Sequence, residues 1–182
     1  MPTSLEGVKR PPAMYRDGRP DDPAFKPTEA LYRRCPPEHI DEYEEGKFRV
    51  VTWSSVHNLS VVREKYAAPD HARWDSATDP ENPDPKLYRD WYVVRVFVGD
   101  LPPKLVSPGA GGVTYTFGPA HAPYDDLYSH SEVRASKNGH LITQPNKFGS
   151  SEVKSQYRGV LSNRAIVVLK PDEIDVPAAP VI

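Results

Sequence analysis

The run YSHSEVRASK at residues 128–137 sets His130, Glu132 and Arg134 two residues apart, so in an extended chain all three share one face. Val133 and Ala135 then point the other way, towards a core. A carboxylate, an imidazole and a guanidinium in one row can keep the carboxylate ionised, orient the imidazole and grip a phosphate. The same row also reads as a solvated face laddered with opposite charges. Directly after it stands Asn138-Gly139, the dipeptide of a two-residue type I′ turn, followed by the strand-like HLITQ. That turn sets Lys137 opposite His140, Ala135 opposite Ile142 and Arg134 opposite Thr143.

Other chemistry-bearing residues are thinly spread. His39, His57, His71 and His121 stand far apart without metal-ligand spacing, and no metal site is expected. Gly109, Gly111 and Gly112 lack the lysine-serine end and the following helix of a phosphate cradle. Cys35 is the only cysteine. Arg33 and Arg34 before it would lower its thiol pKa if they faced it, but a lone cysteine before Pro36-Pro37 reads as incidental. Trp53, Trp74, Trp91 and the ten tyrosines read as core and sheet-edge packing.

The elements that must position these residues follow from periodicity. LYRR (31–34) reads as a strand stopped by Pro36-Pro37, and FRVVTW (48–53) as a second. Ser54, Ser55 or Asn58 can cap a helix whose Leu59, Val62 and Tyr66 recur at helical spacing, ending before Pro69. A polar loop spans 69–90, with a helical turn around Asp70–Trp74. WYVVRVFV (91–98) reads as a strand buried on both faces at the heart of the sheet. VTYTF (113–117), QYRGV (156–160) and RAIVVL (164–169) complete the strands. The fold class expected is α+β, a mostly antiparallel or mixed β-sheet with one firm helix. Regular βαβ alternation is absent, which argues against a dinucleotide-binding Rossmann fold. Residues 1–30 read as a proline-rich extended arm, 31–170 as a single domain and 171–182 as a proline-rich tail.

Composition bounds the function classes. Proline makes up 21 of 182 residues, so loops are many and stiff. No apolar run approaches the roughly 18 residues of a membrane span. The first residues lack the apolar centre of a secretory signal, and one cysteine permits no intrachain disulfide; the expected setting is cytoplasmic. Net charge is −2. It divides unevenly: residues 133–170 carry seven bases against Glu152 alone, while Asp41, Glu42, Glu44 and Glu45 cluster near the start.

Arg33 or Arg34 on an early strand, Thr52-Trp53-Ser54-Ser55 after a second, and Glu132 on a later one resemble the arginine, serine, glutamate order of ADP-ribosyltransferase-like proteins. The resemblance implies NAD as cofactor or substrate. Arg33 or Arg34 would contact NAD, Ser54 or Ser55 would support the nicotinamide pocket, and Glu132 would align the ribose for attack at its anomeric carbon. Two departures stand out: Ser-Ser replaces a serine-threonine-serine run, and His130 occupies a place where many members carry Glu or Gln. The LYRRCPP segment and the later His-Ser-Glu run also resemble small bacterial proteins of uncharacterised activity.

Three functions follow as expectations. The first is a non-catalytic interaction module or accessory subunit docking a protein partner or a second copy through its arms and charged faces. The second is an NAD-dependent transferase or NAD-consuming toxin, with Glu132, His130 and Ser54 catalytic and Arg33, Arg34, Ser55 and Arg134 holding the dinucleotide. The third is a metal-independent nuclease using His130 or His140 with Lys137 and Arg134, its partner a nucleic acid.

Overall fold

The computed structural model describes the backbone of residues 3–4, and residues 9–81, 84–108 and 111–173. Its strands are β1 (Thr3–Ser4), β2 (Ala30–Cys35), β3 (Ile40–Glu44), β4 (Lys47–Val50), β5 (Asn58–Arg63), β6 (Lys86–Leu87), β7 (Tyr92–Phe97), β8 (Leu105–Val106), β9 (Thr114–His121), β10 (His130–Lys137), β11 (His140–Leu141) and β12 (Ile166–Leu169). One α-helix, α1 (Ser151–Arg164), precedes β12. Gly109, the first eight residues of the arm apart from the β1 backbone, and residues 174–182 of the tail lie outside the described residues.

Alternation of side chains builds the main sheet, whose strand order is β12-β7-β2-β5-β10-β9-β8 with β11 paired to β10. Each pairing in it is antiparallel. On one side Leu31, Leu59, Val61, Val94, Val96, Phe117, Val133 and Ala135 pack against Val153, Tyr157 and Leu161 of α1. On the other side Ala30, Tyr32, Val62 and Val93 pack under Met14, Ala72, Trp74, Leu87 and Leu127. Both faces of the central strands are therefore buried, one by a helix and one by irregular chain. This is the α+β class expected, with one α-helix among the described residues.

The helix lies elsewhere than its expected place. Residues 58–63 form β5, and the stretch read as the strand QYRGV sits inside α1. Leu59 and Val62 do recur at helical spacing, but Val61 and Val62 are β-branched neighbours that bury towards opposite cores, which only an extended chain permits. Helix α1 hides its signal because a single stripe, Val153, Tyr157 and Leu161, is buried among polar residues. Its start is conventional: the Ser150 hydroxyl accepts from the Val153 amide at 3.3 Å. The second expected strand is shorter than FRVVTW, for β4 ends at Val50 and pairs with β3 in a separate ribbon. The centre of the sheet is β5, while β7 lies one strand in from the β12 edge.

The turn chemistry holds as expected. Asn138 and Gly139 both take positive φ, 50° and 81°, which is the type I′ geometry. Lys137 pairs with His140, and the Ile142 amide donates to the Ala135 carbonyl at 2.9 Å.

Tyr157 stacks on Phe117 with ring centroids 3.8 Å apart. Its hydroxyl is buried and finds no hydrogen-bond partner among the described residues. Burial accordingly pushes the phenol pKa far up. An unsatisfied buried hydroxyl lowers stability, so Tyr157→Phe is expected to be neutral or stabilising by up to about 1 kcal/mol. Urea denaturation checks this; a loss of more than that would reveal a partner for the hydroxyl.

Candidate functional site

Strands β2 and β5 share only two register pairs, Leu31 with Arg63 and Tyr32 with Val62. On their far sides β2 stays paired with β7 through Cys35, and β5 with β10 through Asn58. Beyond Tyr32 the two central strands therefore part in the middle of the sheet. The opening is a cleft of about 310 Å³ whose walls include Arg33, Arg34, Ser54, Ser60 and His130, with Trp74 and Trp91 also lining it.

The two arginines differ in what neutralises them. Arg34 pairs with the Asp75 carboxylate, donates to the Trp74 carbonyl at 3.0 Å and lies over the Tyr88 ring at 4.5 Å. Arg33 donates from Nη1 to the Ser60 carbonyl at 2.8 Å and from Nη2 to Ser54 Oγ at 3.2 Å. Among the described residues no carboxylate pairs with Arg33. Burial, together with the neighbouring Arg34 charge, pulls its pKa down, yet a guanidinium remains a cation at any physiological pH. It is therefore a positive charge fixed in a cleft wall and short of an anion.

His130 is 6% exposed. Its Nδ1 lies 2.6 Å from the Ala122 carbonyl, which can only accept, so Nδ1 carries the proton. Its Nε2, 3.0 Å from Ser60 Oγ, is then the acceptor of the serine hydroxyl. Tyr124 packs on the imidazole at 4.6 Å. Burial lowers the His130 pKa, with a smaller push from Arg34, against the opposing pull of the Ala122 hydrogen bond, Glu132 and Asp79. The ring is neutral where ordinary histidines begin to charge.

Glu132 lies directly opposite Ser60 in the β5–β10 register. It accepts from Asn58 Nδ2 at 3.0 Å and from Arg134 Nε at 2.6 Å. Partial burial alone would raise its pKa, but these two donors outweigh it and the net shift is downwards, so the carboxylate is ionised. Arg134 thus serves the glutamate rather than the cleft wall. Ser55 stands apart: it has φ 52° and lines a separate depression of about 90 Å³ with His57, Lys154 and Arg158. Cys35 lines the cleft but burial raises its pKa to about 11, so it stays a thiol.

Of the sequence-derived candidates, Arg33, Arg34, Ser54 and His130 come together in one cleft, Glu132 and Arg134 adjoin it and Ser55 does not. Ser60 was missed because it sat inside the expected helix, where its register opposite Glu132 is invisible. Trp74 and Trp91 carried no distinguishing signal. Among the described residues no three His, Cys, Asp or Glu side chains gather as a metal set, and no helix is long and apolar enough to cross a membrane.

The described part of the arm packs beside this site. Arg10 pairs with Asp126 at 3.2 Å, both side chains under 10% exposed, and lies over the Trp74 ring. His121 Nδ1 accepts from the Asp22 amide at 2.9 Å while Nε2 faces the Tyr128 carbonyl at 2.7 Å, which fixes a neutral ring. The pKa of His121 is lowered, first by burial and then by the Arg63 charge. With both His121 and His130 depressed in the fold, the unfolded chain takes up protons first as pH falls. Their contribution to stability is complete above the ordinary value of 6.5 and declines as pH drops through it towards the lower folded values. Urea melts at pH 7.5, 6.5 and 5.5 should show stability falling, and His121→Gln should flatten the slope; a level profile would contradict the two assignments.

Compared with known proteins, the chain matches no family model, no curated protein and no solved structure.

Proposed function

We propose that the cleft binds a dinucleotide of the NAD type and breaks its bond between ribose and nicotinamide, passing the ADP-ribosyl group to an acceptor oxygen. The observation that carries this reading is the parting of β2 and β5, which gathers Arg33, Arg34, Ser54 and His130 from three distant stretches into one cleft beside an ionised Glu132.

Three of the residues in or beside the cleft have a direct task there: Arg33, Trp91 and Glu132. Arg33, a guanidinium without a carboxylate partner among the described residues, suits a pyrophosphate, to which it can donate two parallel hydrogen bonds. Trp91, partly exposed on the cleft wall, offers flat apolar surface to a ring. Glu132 can accept a hydrogen bond from a ribose hydroxyl and stabilise the positive charge that grows on the sugar as the bond to nicotinamide breaks. Nicotinamide leaves with the bonding electron pair as a neutral ring. The acceptor oxygen forms the new bond at the anomeric carbon and releases its proton.

The interaction-module reading draws on the arm, and the described part of that arm is occupied by its own domain. Met14 is fully buried, its carbonyl accepts from the Tyr128 amide at 2.7 Å, and Arg16 donates its amide to the Asp125 carbonyl at 2.7 Å.

Calorimetric titration with NAD and chromatographic detection of released nicotinamide test the proposal. Arg33→Ala should weaken binding about tenfold or more, the equivalent of one charge-assisted hydrogen bond. Absence of binding and of nicotinamide release at millimolar NAD would remove it.

A further inference from the structure

One arrangement in the cleft has no part in the chemistry above. Ser60 Oγ is hydrogen-bonded at 3.0 Å to His130 Nε2, and the opposite nitrogen of the same ring is held at 2.6 Å by the Ala122 carbonyl. Nucleophile, base and orienting acceptor follow one another in the order that activates a hydroxyl. Ser60 and His130 lie on adjacent paired strands, diagonal neighbours in a register that sets His130 against Val62 and Glu132 against Ser60. The pair is thus held by the sheet rather than by a loop, which fixes it tightly. Ser60 itself is exposed to the cleft, while His130 is buried behind it. Arg33, bonded to the carbonyl of Ser60, fixes a positive charge on the residue that carries the hydroxyl.

We infer that Ser60 is a nucleophile with His130 as its general base, and that the pair cleaves carboxylic esters whose acyl portion carries a negative charge for Arg33. The Ser60 oxygen attacks the ester carbonyl carbon while His130 Nε2 takes the hydroxyl proton. The tetrahedral intermediate collapses, the bond to the leaving alkoxide breaks, and the alkoxide departs with the proton from Nε2. Water, its proton taken by His130 Nε2, then attacks the acyl carbon; the bond to Ser60 Oγ breaks, Oγ recovers that proton from Nε2, and the acid leaves. This activity requires neither the dinucleotide nor Glu132.

The ring must be neutral to serve as a base, and its surroundings keep it so: burial, with a smaller push from Arg34, disfavours the charged form and outweighs the Ala122 hydrogen bond, Glu132 and Asp79, which favour it. Tyr124 contributes an apolar ring face.

Two measurements test the inference on the full chain. Intact mass spectrometry after incubation with a fluorophosphonate should show one stoichiometric adduct, mapped to Ser60 and absent in Ser60→Ala. His130→Gln should slow labelling about 100-fold or more, the scale of a lost general base, with its circular dichroism spectrum unchanged. Ser151→Ala, at the exposed start of α1, should label as the native chain does. Mono-p-nitrophenyl succinate should be cleaved at least about tenfold faster than p-nitrophenyl butyrate, a preference that Arg33→Gln abolishes. No adduct, an adduct that survives Ser60→Ala, or equal cleavage of the two esters would overturn it. Because neither assay contains NAD, failure here leaves the transferase reading standing, and failure of nicotinamide release leaves this one standing.

Discussion

Replacing Arg63 by methionine is expected to lower stability by about 3–5 kcal/mol, the range found when one partner of a buried ion pair is removed. Arg63 is fully buried on β5. Its guanidinium donates to Glu29 at 2.6 and 3.0 Å and to the carbonyls of Asp22 and Ala24 at 2.7 and 2.6 Å. The Phe25 ring lies 3.8 Å from its charged carbon. Methionine fills much of the volume but leaves a nearly buried carboxylate and two carbonyls without donors. In a chain of this size such a loss lowers Tm by about 6–20 °C. Adding Glu29→Gln, which removes the stranded charge, should recover part of it. Thermal and urea melts of the single and double variants decide the matter; a loss below about 1 kcal/mol would mean that water replaces the guanidinium.

Glu132→Gln is the second large effect, and it falls on turnover rather than on the fold. Glutamine still accepts from Asn58 but carries no charge to offset the one that develops on the ribose. Removal of a transition-state partner of this kind costs about 100-fold or more. The lost ion pair with Arg134 is partly exposed, its side chains 18% and 40% accessible, so stability should change by no more than about 1 kcal/mol. Nicotinamide release that collapses at nearly constant Tm supports the proposed role. Unchanged release would sink the assignment of Glu132.

How much of this was legible in the sequence varied with how local the signal was. The β10–β11 hairpin was readable because Asn138-Gly139 fixes its own turn and the flanking run alternates. Strands β7 and β12 were readable from β-branched and apolar runs, and β2 from the short LYRR stretch stopped by Pro36-Pro37. The misplaced helix shows the limit. Leu59, Val62 and Tyr66 satisfy a helical stripe, and only the presence of two separate cores on opposite sides of Val61 and Val62 decides for a strand. Tyr157 in α1 was equally ambiguous in isolation, since its stacking partner Phe117 lies forty residues earlier. The candidate site was half legible: residue types on one strand pointed to His130 and Glu132, and a resemblance pointed to Arg33 and Ser54. That these share a cleft depends on where β2 and β5 stop pairing, which no local pattern encodes. Ser60 became a candidate only through that register.

The short pairing of β2 with β5 also bears on how the molecule holds its shape. Two rungs join β12-β7-β2 to β5-β10-β9-β8, and residues 22–29 run across that seam. Glu29 accepts from the Val98 amide beyond β7 and Pro27 from that of Gly99, while Glu29 clasps Arg63 on β5 and Asp22 reaches His121 on β9. The proline-rich segment is a strap that fastens the two half-sheets together across the cleft's own line of weakness. A boundary drawn at residue 30 would cut it, leaving the two rungs, the Arg33 bond to the Ser60 carbonyl and the packing on either face to set the width of the cleft.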